Sequence, residues 1–282
     1  MDRLDVAALQ GGAVVIPMAD ENPVRRFPWC TVLLILACTV VYFGVQPSRA
    51  IRFSWTGIAE STSANDLRFV VDHAGIPCEL VRGRPLTEQE YQQTFNEGNG
   101  DACSHGSGPE HDPGKNVYLA AALTMFLHVS IAHLFGNMLF LWVFGNNIED
   151  RKGWWRFLLL YLVGGAIATA SQVVVDPSST VPIIGASGAI AAVMGAYLVC
   201  YPKARVKSII FFGPVLLRKV TAQWLLVLWF LVQFQYVASS AGIAWGAHVG
   251  GFSFGILVGL YWRARERTGR RAVPPVATPI PA

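Results

Sequence analysis

The chain has 282 residues, of which 53% are hydrophobic and only 14% are charged. Because about a quarter of the residues in a soluble domain are charged, this composition favours a membrane protein surrounded by lipid. The net charge of +4 is too small to indicate a nucleic-acid partner, and the five cysteines show neither a CxxC pair nor zinc-ligand spacing. We therefore expect no nucleic acid, no metal and no other cofactor.

Six apolar segments are long enough to cross a bilayer as helices. In chain order they are 28–47, 130–147, 154–175, 183–201, 222–238 and 243–262. The first is not followed by a small-residue cleavage site, so we interpret it as an anchor and not as a cleaved signal peptide. A shorter apolar stretch, 208–217, is interrupted by Gly-Pro and indicates an interfacial or re-entrant piece of a loop. The sequence thus predicts an all-α membrane protein with six transmembrane helices over 28–264.

Lysine and arginine set the expected orientation of these helices. They cluster in four places, namely before the first segment, between the second and third, between the fourth and fifth, and after the sixth. The short loops 176–180 and 239–242 contain none. With six spans, all four basic stretches fall on one side of the membrane, and basic loops are typically cytoplasmic. The sequence therefore predicts a multi-pass integral membrane protein with both termini, 1–27 and 265–282, in the cytoplasm.

The long connection 48–129 is expected outside the membrane. It carries a polar insertion at about 60–116, which is either a small folded unit or a mobile loop. Cys78 and Cys103 both lie in it and could pair in an oxidising compartment, although the sequence leaves this open. The Pro-rich composition at the end of the chain predicts that 265–282 is a disordered tail.

Four polar residues are expected at one depth near the outer face of the membrane. Ser187 on the fourth segment and His248 on the sixth each lie about five residues from the outer end. His133 and Asn137 follow the outer end of the second segment and share a helix face. Intramembrane ionisable groups usually face a cavity or a partner, so we expect these side chains to converge. For His128, near the membrane surface, a structural histidine is an equally good interpretation.

Small residues recur every fourth position on the fourth and sixth segments. They are Gly188, Ala192 and Ala196 on the fourth, and Gly251, Gly255 and Gly259 on the sixth. Such rows allow helices to pack closely in lipid, which is often their whole role. Here close packing would also bring the Ser187 hydroxyl to a nitrogen of His248.

This arrangement predicts nucleophilic hydrolysis. A serine hydroxyl needs a base within hydrogen-bond reach, and His248 is the candidate base and later the acid for the leaving amine. Asn137, His133 and the Ser187 backbone N–H are candidate donors to a developing oxyanion. No carboxylate lies in the fourth or sixth segment, so the sequence predicts a dyad without a third member.

Three motifs resemble those of the rhomboid family of intramembrane serine proteases, in particular its bacterial members. HxxxxHxxxN runs from His128 to Asn137, GxSG from Gly185 to Gly188, and AHxxG from Ala247 to Gly251. The three motifs occur in the family's order, each on the expected helix. The resemblance implies a six-helix rhomboid-like bundle in which Ser187 and His248 are catalytic.

The resemblance further implies an oxyanion site formed by Asn137, His133, Gly185 and the Ser187 amide. The residues expected to support the site are His128, Gly188, Gly251 and Gly255. Family substrates are single-span transmembrane proteins cut in or near the span at small residues. The fifth helix, with Trp229, Gln233 and Gln235, would form a moving side gate. The resemblance also implies a bacterial inner-membrane location.

Four alternatives to a protease agree less well with the sequence. A catalytically inactive rhomboid-like protein would bind client transmembrane segments, but such relatives usually lack the serine or the histidine. A transporter or channel is disfavoured because no internal repeat is visible. The GxGD string at 98–101 lies in the polar loop without a second intramembrane aspartate. An α/β-hydrolase elbow would need GxSxG, but residue 189 is alanine.

Overall fold

The computed structural model describes residues 14–47, 64–103, 108–211, 215–234 and 244–271. Its helices are α1 Trp29–Val40, α2 Ala64–His73, α3 Pro77–Arg82, α4 Glu88–Phe95, α5 Val117–Leu123, α6 Ile131–Phe140, α7 Asn146–Lys152, α8 Trp154–Val175, α9 Ser187–Cys200, α10 Ala222–Gln233 and α11 Trp245–Arg271. Helical turns of other types extend three of them, namely Val41–Val45 after α1, Thr124–Phe126 after α5, and Leu141–Gly145 between α6 and α7. The strands are β1 Val14–Asp20, β2 Arg205–Phe211 and β3 Val215–Thr221.

Helix α8 coincides with the third predicted span and, at 22 residues, is long and apolar enough to cross a membrane. A second crossing is obtained if 117–126 and 131–152, which meet at a bend of 76°, are counted as one span. Three more apolar helices, at 29–45, 187–200 and 222–233, are shorter than the usual length of a span. The mostly helical architecture fits the predicted fold class, and the count of six spans stays a prediction.

Helix α9 forms the centre of the bundle and packs against both α8 and α11. Its residues from Gly188 to Tyr197 are all buried, so the helix has no free face over this stretch. Its contact with α11 is made through backbone. A Cβ on Gly251 would lie 2.2 Å from the Gly188 carbonyl oxygen, and one on Gly255 would lie 1.9 Å from the Ala192 carbonyl oxygen. The predicted rows of small residues therefore do mark a close helix pair.

A three-stranded antiparallel sheet in the order β1-β2-β3 was not predicted from the sequence. Residues 208–211 and 215–217, part of the stretch predicted to be an interfacial or re-entrant piece of a loop, lie in β2 and β3, where Ile209 faces Leu217. Along β2 the side chains alternate, with Val206 and Ser208 buried and Lys207 exposed. A search for long apolar runs does not detect this period of two, and the all-α prediction therefore describes only the helical bundle.

The end of the predicted N-terminal tail is part of the fold. Strand β1 pairs with β2, and the Asp20 carboxylate that closes β1 accepts hydrogen bonds from Asn147 at 2.7 Å and from the Tyr197 hydroxyl at 2.6 Å. Similarly, the Glu149 carboxylate accepts from the backbone N–H groups of Cys30 and Thr31 at 2.9 and 2.7 Å. A carboxylate at a helix N-terminus satisfies free N–H groups and complements the helix dipole, so Glu149 fixes the start of α1.

Helix α11 continues past the predicted end of the bundle. Residues 265–271 are helical, so the prediction of a disordered tail from 265 is wrong for them. Glu266 pairs with Arg151 at 2.7 Å and also with Lys152, and its hydrogen bond to Arg151 lowers its pKa to about 2. The prolines that suggested disorder begin only at 274, and the preceding arginine-rich stretch consists mostly of good helix formers. Residues 272–282 lie outside the described residues.

The described part of the polar insertion is folded, which decides between the two alternatives left open by the sequence. Cys78 and Cys103 form a disulfide, with their Cα atoms 5.8 Å apart. The Lys115 ammonium group is buried and contacts the Glu79 carboxylate and the Val71 carbonyl oxygen, each at 2.5 Å. The carboxylate and the carbonyl oxygen provide hydrogen-bond partners for the buried ammonium group and offset part of the cost of removing it from water.

Candidate active site

The predicted span 183–201 implied that Ser187 lies within a helix, several residues from its end. In the structure Ser187 is instead the first residue of α9. Residues 183–186 are non-helical, and Gly185 has a φ of +116°, a conformation that strongly favours glycine. The serine therefore follows a sharp turn. As the first residue of α9 it has an N–H group without an acceptor inside the helix, at the positive end of the helix dipole.

Hydrogen bonds from two other segments hold the turn before Ser187. The Gly185 N–H donates to the Thr124 carbonyl oxygen at 3.0 Å, and the Ile183 N–H donates to the Gly75 carbonyl oxygen at 2.8 Å. The Gly75 N–H in turn donates to the Thr124 hydroxyl oxygen at 2.8 Å. The predicted oxyanion role of Gly185 therefore needs correction, because its N–H is already engaged. What Gly185 contributes is its backbone conformation.

The insertion also holds the loop that leads to this turn. The Cys78 N–H donates to the Ser179 carbonyl oxygen at 3.0 Å, and the Thr180 N–H donates to the Gly100 carbonyl oxygen at 2.7 Å. These contacts join residues about 80 to 100 positions apart in the chain. Such distant contacts leave no local pattern in the sequence, so the sequence does not predict that the insertion contacts the loop before the serine.

The structure brings the Ser187 and His248 side chains together across the α9–α11 contact. The distance from Ser187 Oγ to His248 Nε2 is 2.8 Å, within hydrogen-bond reach. On the other side of the ring, Nδ1 lies 2.7 Å from the Gln233 Oε1 atom. An amide oxygen can only accept, so Nδ1 carries the ring proton and Nε2 has a free lone pair for the serine hydroxyl.

Asn137 and His133 line the space above Gly185. A Cβ on Gly185 would lie 2.9 Å from His133 Nε2 and 3.5 Å from Asn137 Nδ2, so both side chains approach the same point. Among the described residues, Asn137 Nδ2 and His133 Nδ1 are buried without a hydrogen-bond partner. Leaving a buried donor unpaired costs about 1–3 kcal/mol, so this arrangement is typical of a site that receives an acceptor from a ligand.

His128 lies behind this pair. It is fully buried, and its ring meets the His133 ring edge-on with 5.3 Å between the centroids. Its backbone is held by the Gln46 side chain, which accepts from the His128 N–H at 3.0 Å and donates to the His128 carbonyl oxygen at 2.9 Å. His128 thus packs against a site residue in the interior of the protein.

A cavity of about 20 Å³ adjoins Ser187. It is lined by small or flexible residues that include Thr124, Met125, Gly165, Gly188 and Ala247. A cavity of this size holds about one water molecule or a methyl-sized group.

Two of the predicted gate residues, Trp229 and Gln233, lie beside the histidine. The Trp229 ring is 5.8 Å from the His248 ring, and Gln233 contacts the imidazole directly. Gln235 lies outside the described residues. The sequence indicates Gln233 only as a gate residue, because a glutamine on an apolar helix carries no local signal that it will contact a histidine on another helix.

The described residues contain one grouping of potential metal ligands, formed by Cys78, Glu90 and Cys103. The two sulfur atoms are bonded to each other in the disulfide, so they offer no thiolate to a metal. This grouping lies in the insertion and not beside Ser187.

Comparison with known proteins gives consistent results. The model of the Rhomboid domain matches residues 116–265, which is just over half of the chain. The chain is 34% identical over 162 residues to presenilin-associated rhomboid-like protein A, mitochondrial, of Danio rerio, covering 54% of this chain and 41% of that protein. It is 30% identical over 150 residues to Rhomboid protein 1, mitochondrial, of Saccharomyces cerevisiae, covering 48% and 39% respectively.

A bacterial relative matches over a shorter region. The Rhomboid protease GluP of Bacillus subtilis is 44% identical over 72 residues, which is 26% of this chain and 14% of that protein. The chain thus spans less than half the length of each of these three relatives. The domain match includes the segments that carry Asn137, Ser187 and His248. This chain belongs to the rhomboid family of integral membrane proteins.

Proposed function

We propose that this chain is an intramembrane serine protease that hydrolyses peptide bonds of single-span membrane proteins in or near their transmembrane segment. The observation that carries the proposal is the 2.8 Å contact between Ser187 Oγ and His248 Nε2, with the Nδ1 proton held by an acceptor on the far side of the ring. Family membership supports it, because the Bacillus subtilis relative is named a protease.

In the proposed reaction, Ser187 Oγ attacks the carbonyl carbon of the scissile bond while its proton passes to His248 Nε2. The negative oxygen that forms is stabilised by the Asn137 amide, His133 and the Ser187 N–H. His248 then gives its proton to the leaving amine nitrogen, and the bond to that nitrogen breaks. The remaining acyl ester on Ser187 is hydrolysed by a water molecule that His248 deprotonates, which returns the serine hydroxyl.

The proposed substrate class follows from the surroundings of the site. A peptide bond can be attacked only after its helix unwinds, and the freed backbone groups then need polar partners that lipid does not supply. The unpaired Asn137 amide group beside Gly185 offers such a partner. The 20 Å³ cavity beside Ser187 has space for a small side chain only. We therefore infer that the residue before the cleaved bond is alanine or of similar size.

The alternative function is an inactive relative that binds client transmembrane segments. The hydrogen-bonded serine and histidine favour the protease, because binding alone would not require a proton acceptor 2.8 Å from the hydroxyl. A bacterial inner-membrane location and cytoplasmic termini stay predictions. Two of the three relatives described above are named mitochondrial and one is bacterial.

The test is reconstitution of the purified full-length chain in liposomes with a single-span substrate that carries alanines near the outer end of its span. We expect two fragments whose new termini, read by mass spectrometry, lie in or near the span. A fluorophosphonate probe should add to Ser187, which peptide mapping would show. A protein that binds the substrate but neither cuts it nor takes up the probe would support the inactive alternative.

Replacement of Asn137 by alanine tests the oxyanion assignment. We expect kcat to fall by about 10²–10³-fold with little change in KM, because the Asn137 amide would act mainly in the transition state. Asn137→Asp, which keeps the volume but replaces the donor by an acceptor, should be impaired at least as strongly. Initial rates of cleavage in liposomes measure both. A rate for Asn137→Ala within twofold of the wild-type rate would remove Asn137 from this role.

A further inference from the structure

The side chain of Gln233 occupies the position next to the catalytic histidine that a carboxylate occupies in three-residue serine protease sites. Its Oε1 atom lies 2.7 Å from His248 Nδ1, and the residue is only 5% exposed. Its Nε2 atom donates to the Trp229 carbonyl oxygen at 2.9 Å. Because the NH₂ group is engaged one helical turn back, the amide can present only its oxygen to the ring.

We propose that Gln233 is the third member of the site, a positioning residue that holds His248 in the tautomer with the proton on Nδ1 and stabilises the imidazolium formed during the reaction. This inference rests on the proposed protease function and corrects its two-residue description. It also differs from the role suggested by the sequence, in which Gln233 was one of several gate residues.

The tautomer decides whether His248 can act as a base. If the ring proton were on Nε2, that nitrogen would point an N–H at the serine and could not accept its proton. The Gln233 oxygen excludes this state, because it would leave two acceptors facing each other at 2.7 Å, namely the oxygen and a bare Nδ1. The contact therefore selects the reactive tautomer before any substrate binds.

The charges around His248 explain why the neutral amide of Gln233 is enough to stabilise the imidazolium. Helices α9 and α10 contain no charged residue along 187–200 and 222–233, and the first charged residue after His248 on α11 is Arg263. The other titratable side chains at the site are His133 on α6, next to Gly185, and His128 behind it. When His248 takes the serine proton, its Nδ1–H bond to Gln233 becomes charge-assisted and therefore stronger. The amide thus stabilises the imidazolium without placing a buried negative charge in the site.

The contact between Gln233 and His248 also makes the state of the base depend on how α10 packs against α11. Gln233 is the last residue of α10, and this helix is held against α11 by the stacked rings of Phe230 and Phe252, whose centroids are 4.9 Å apart. When α10 packs in this position, His248 has its acceptor. The geometry therefore assembles the base only while α10 is in place.

Three variants in liposomes test the catalytic consequence. Gln233→Leu removes the acceptor at similar volume, and we expect kcat to fall about 10–100-fold with KM within about twofold, the worth of one hydrogen bond to a charged group. Gln233→Glu restores an acceptor and adds charge. We expect it to recover most of the activity at neutral pH and to move the acidic limb of the pH dependence of kcat/KM to higher pH. The matched control, Gln223→Leu at the start of the same helix, should behave as wild type.

Nitrogen NMR on ¹⁵N-histidine protein tests the tautomer without relying on catalysis, so it remains informative if the protease function fails. We expect the His248 resonance, assigned with His248→Ala, to show a protonated Nδ1 in Ser187→Ala and in wild type, and a mixture of tautomers in Gln233→Leu. The proposal is overturned by a wild-type ring with its proton on Nε2, by a folded Gln233→Leu with wild-type kcat, or by an unshifted acidic limb in Gln233→Glu. If Gln233→Leu does not fold, the proposal is tested by the pH dependence of kcat/KM in Gln233→Glu and by the nitrogen NMR spectrum of the wild-type protein.

Discussion

Ser187→Ala should abolish cleavage of a single-span substrate, lowering kcat by about 10⁴-fold or more while the protein stays folded. The hydroxyl is the proposed nucleophile, and among the described residues it is the hydrogen-bond partner of His248 Nε2, at 2.8 Å. His248→Ala should be equally inactive, because a serine hydroxyl without its base is a poor nucleophile at neutral pH. The double variant should be no worse than either single variant, since the two residues act as one unit.

The control for this experiment is Ser253→Ala, which removes an exposed serine from α11. It should cleave at the wild-type rate and keep the fluorophosphonate adduct, whereas Ser187→Ala should lose the adduct. Circular dichroism and a melting curve in detergent should show all variants folded. Wild-type cleavage by Ser187→Ala would end the protease assignment, whatever the behaviour of His248→Ala.

Gly255→Ala should destabilise the bundle more than Ser187→Ala or His248→Ala does. An added Cβ would lie 1.9 Å from the Ala192 carbonyl oxygen and 2.7 Å from its carbonyl carbon, and both atoms belong to the backbone of α9. Backbone cannot rotate away as a side chain can, so α9 and α11 must move apart. We expect a cost of about 3 kcal/mol or more in the free energy of unfolding and a melting temperature lower by roughly 10 °C.

This substitution should also remove activity, because Ser187 and His248 are on the two helices that separate. Gly136→Ala is the matched control, since no atom outside its own stretch of helix lies within 4 Å of the Cβ it would add. Gly136→Ala should melt at the wild-type temperature or slightly above it, because alanine favours the helix over glycine. A Gly255→Ala protein that melts and cleaves like wild type would contradict the backbone contact between α9 and α11.

The two sets of variants separate chemistry from architecture. Ser187→Ala removes one oxygen from a partly exposed side chain and should leave the melting temperature nearly unchanged. Gly255→Ala touches no reacting group and should change both the melting temperature and the rate. A melting curve recorded beside each rate therefore shows which of the two causes an inactive variant.

The sequence alone predicts Ser187, His248, His133 and Asn137 as site residues, because each is a polar residue at a defined depth in an apolar segment. Helical periodicity places residues four apart on one face, and small residues every fourth position mark the helices that touch. These are local properties, and they also sufficed for the apolar segments, of which 154–175 coincides with α8. The start of α9 at Ser187 was missed because apolar residues before the helix resemble the helix itself in composition.

Only the tertiary structure decided what surrounds these residues. The hydrogen bond from Ile183 to Gly75, the Gly185 N–H bound to Thr124, and the Gln233 oxygen beside His248 each join residues from different parts of the chain. Such contacts produce no periodic pattern in the sequence around either residue, since each contact depends on how distant segments pack. The sequence determined which groups could react, and the packing of the insertion, α10 and α11 determined which turn presents the serine and which tautomer its base adopts.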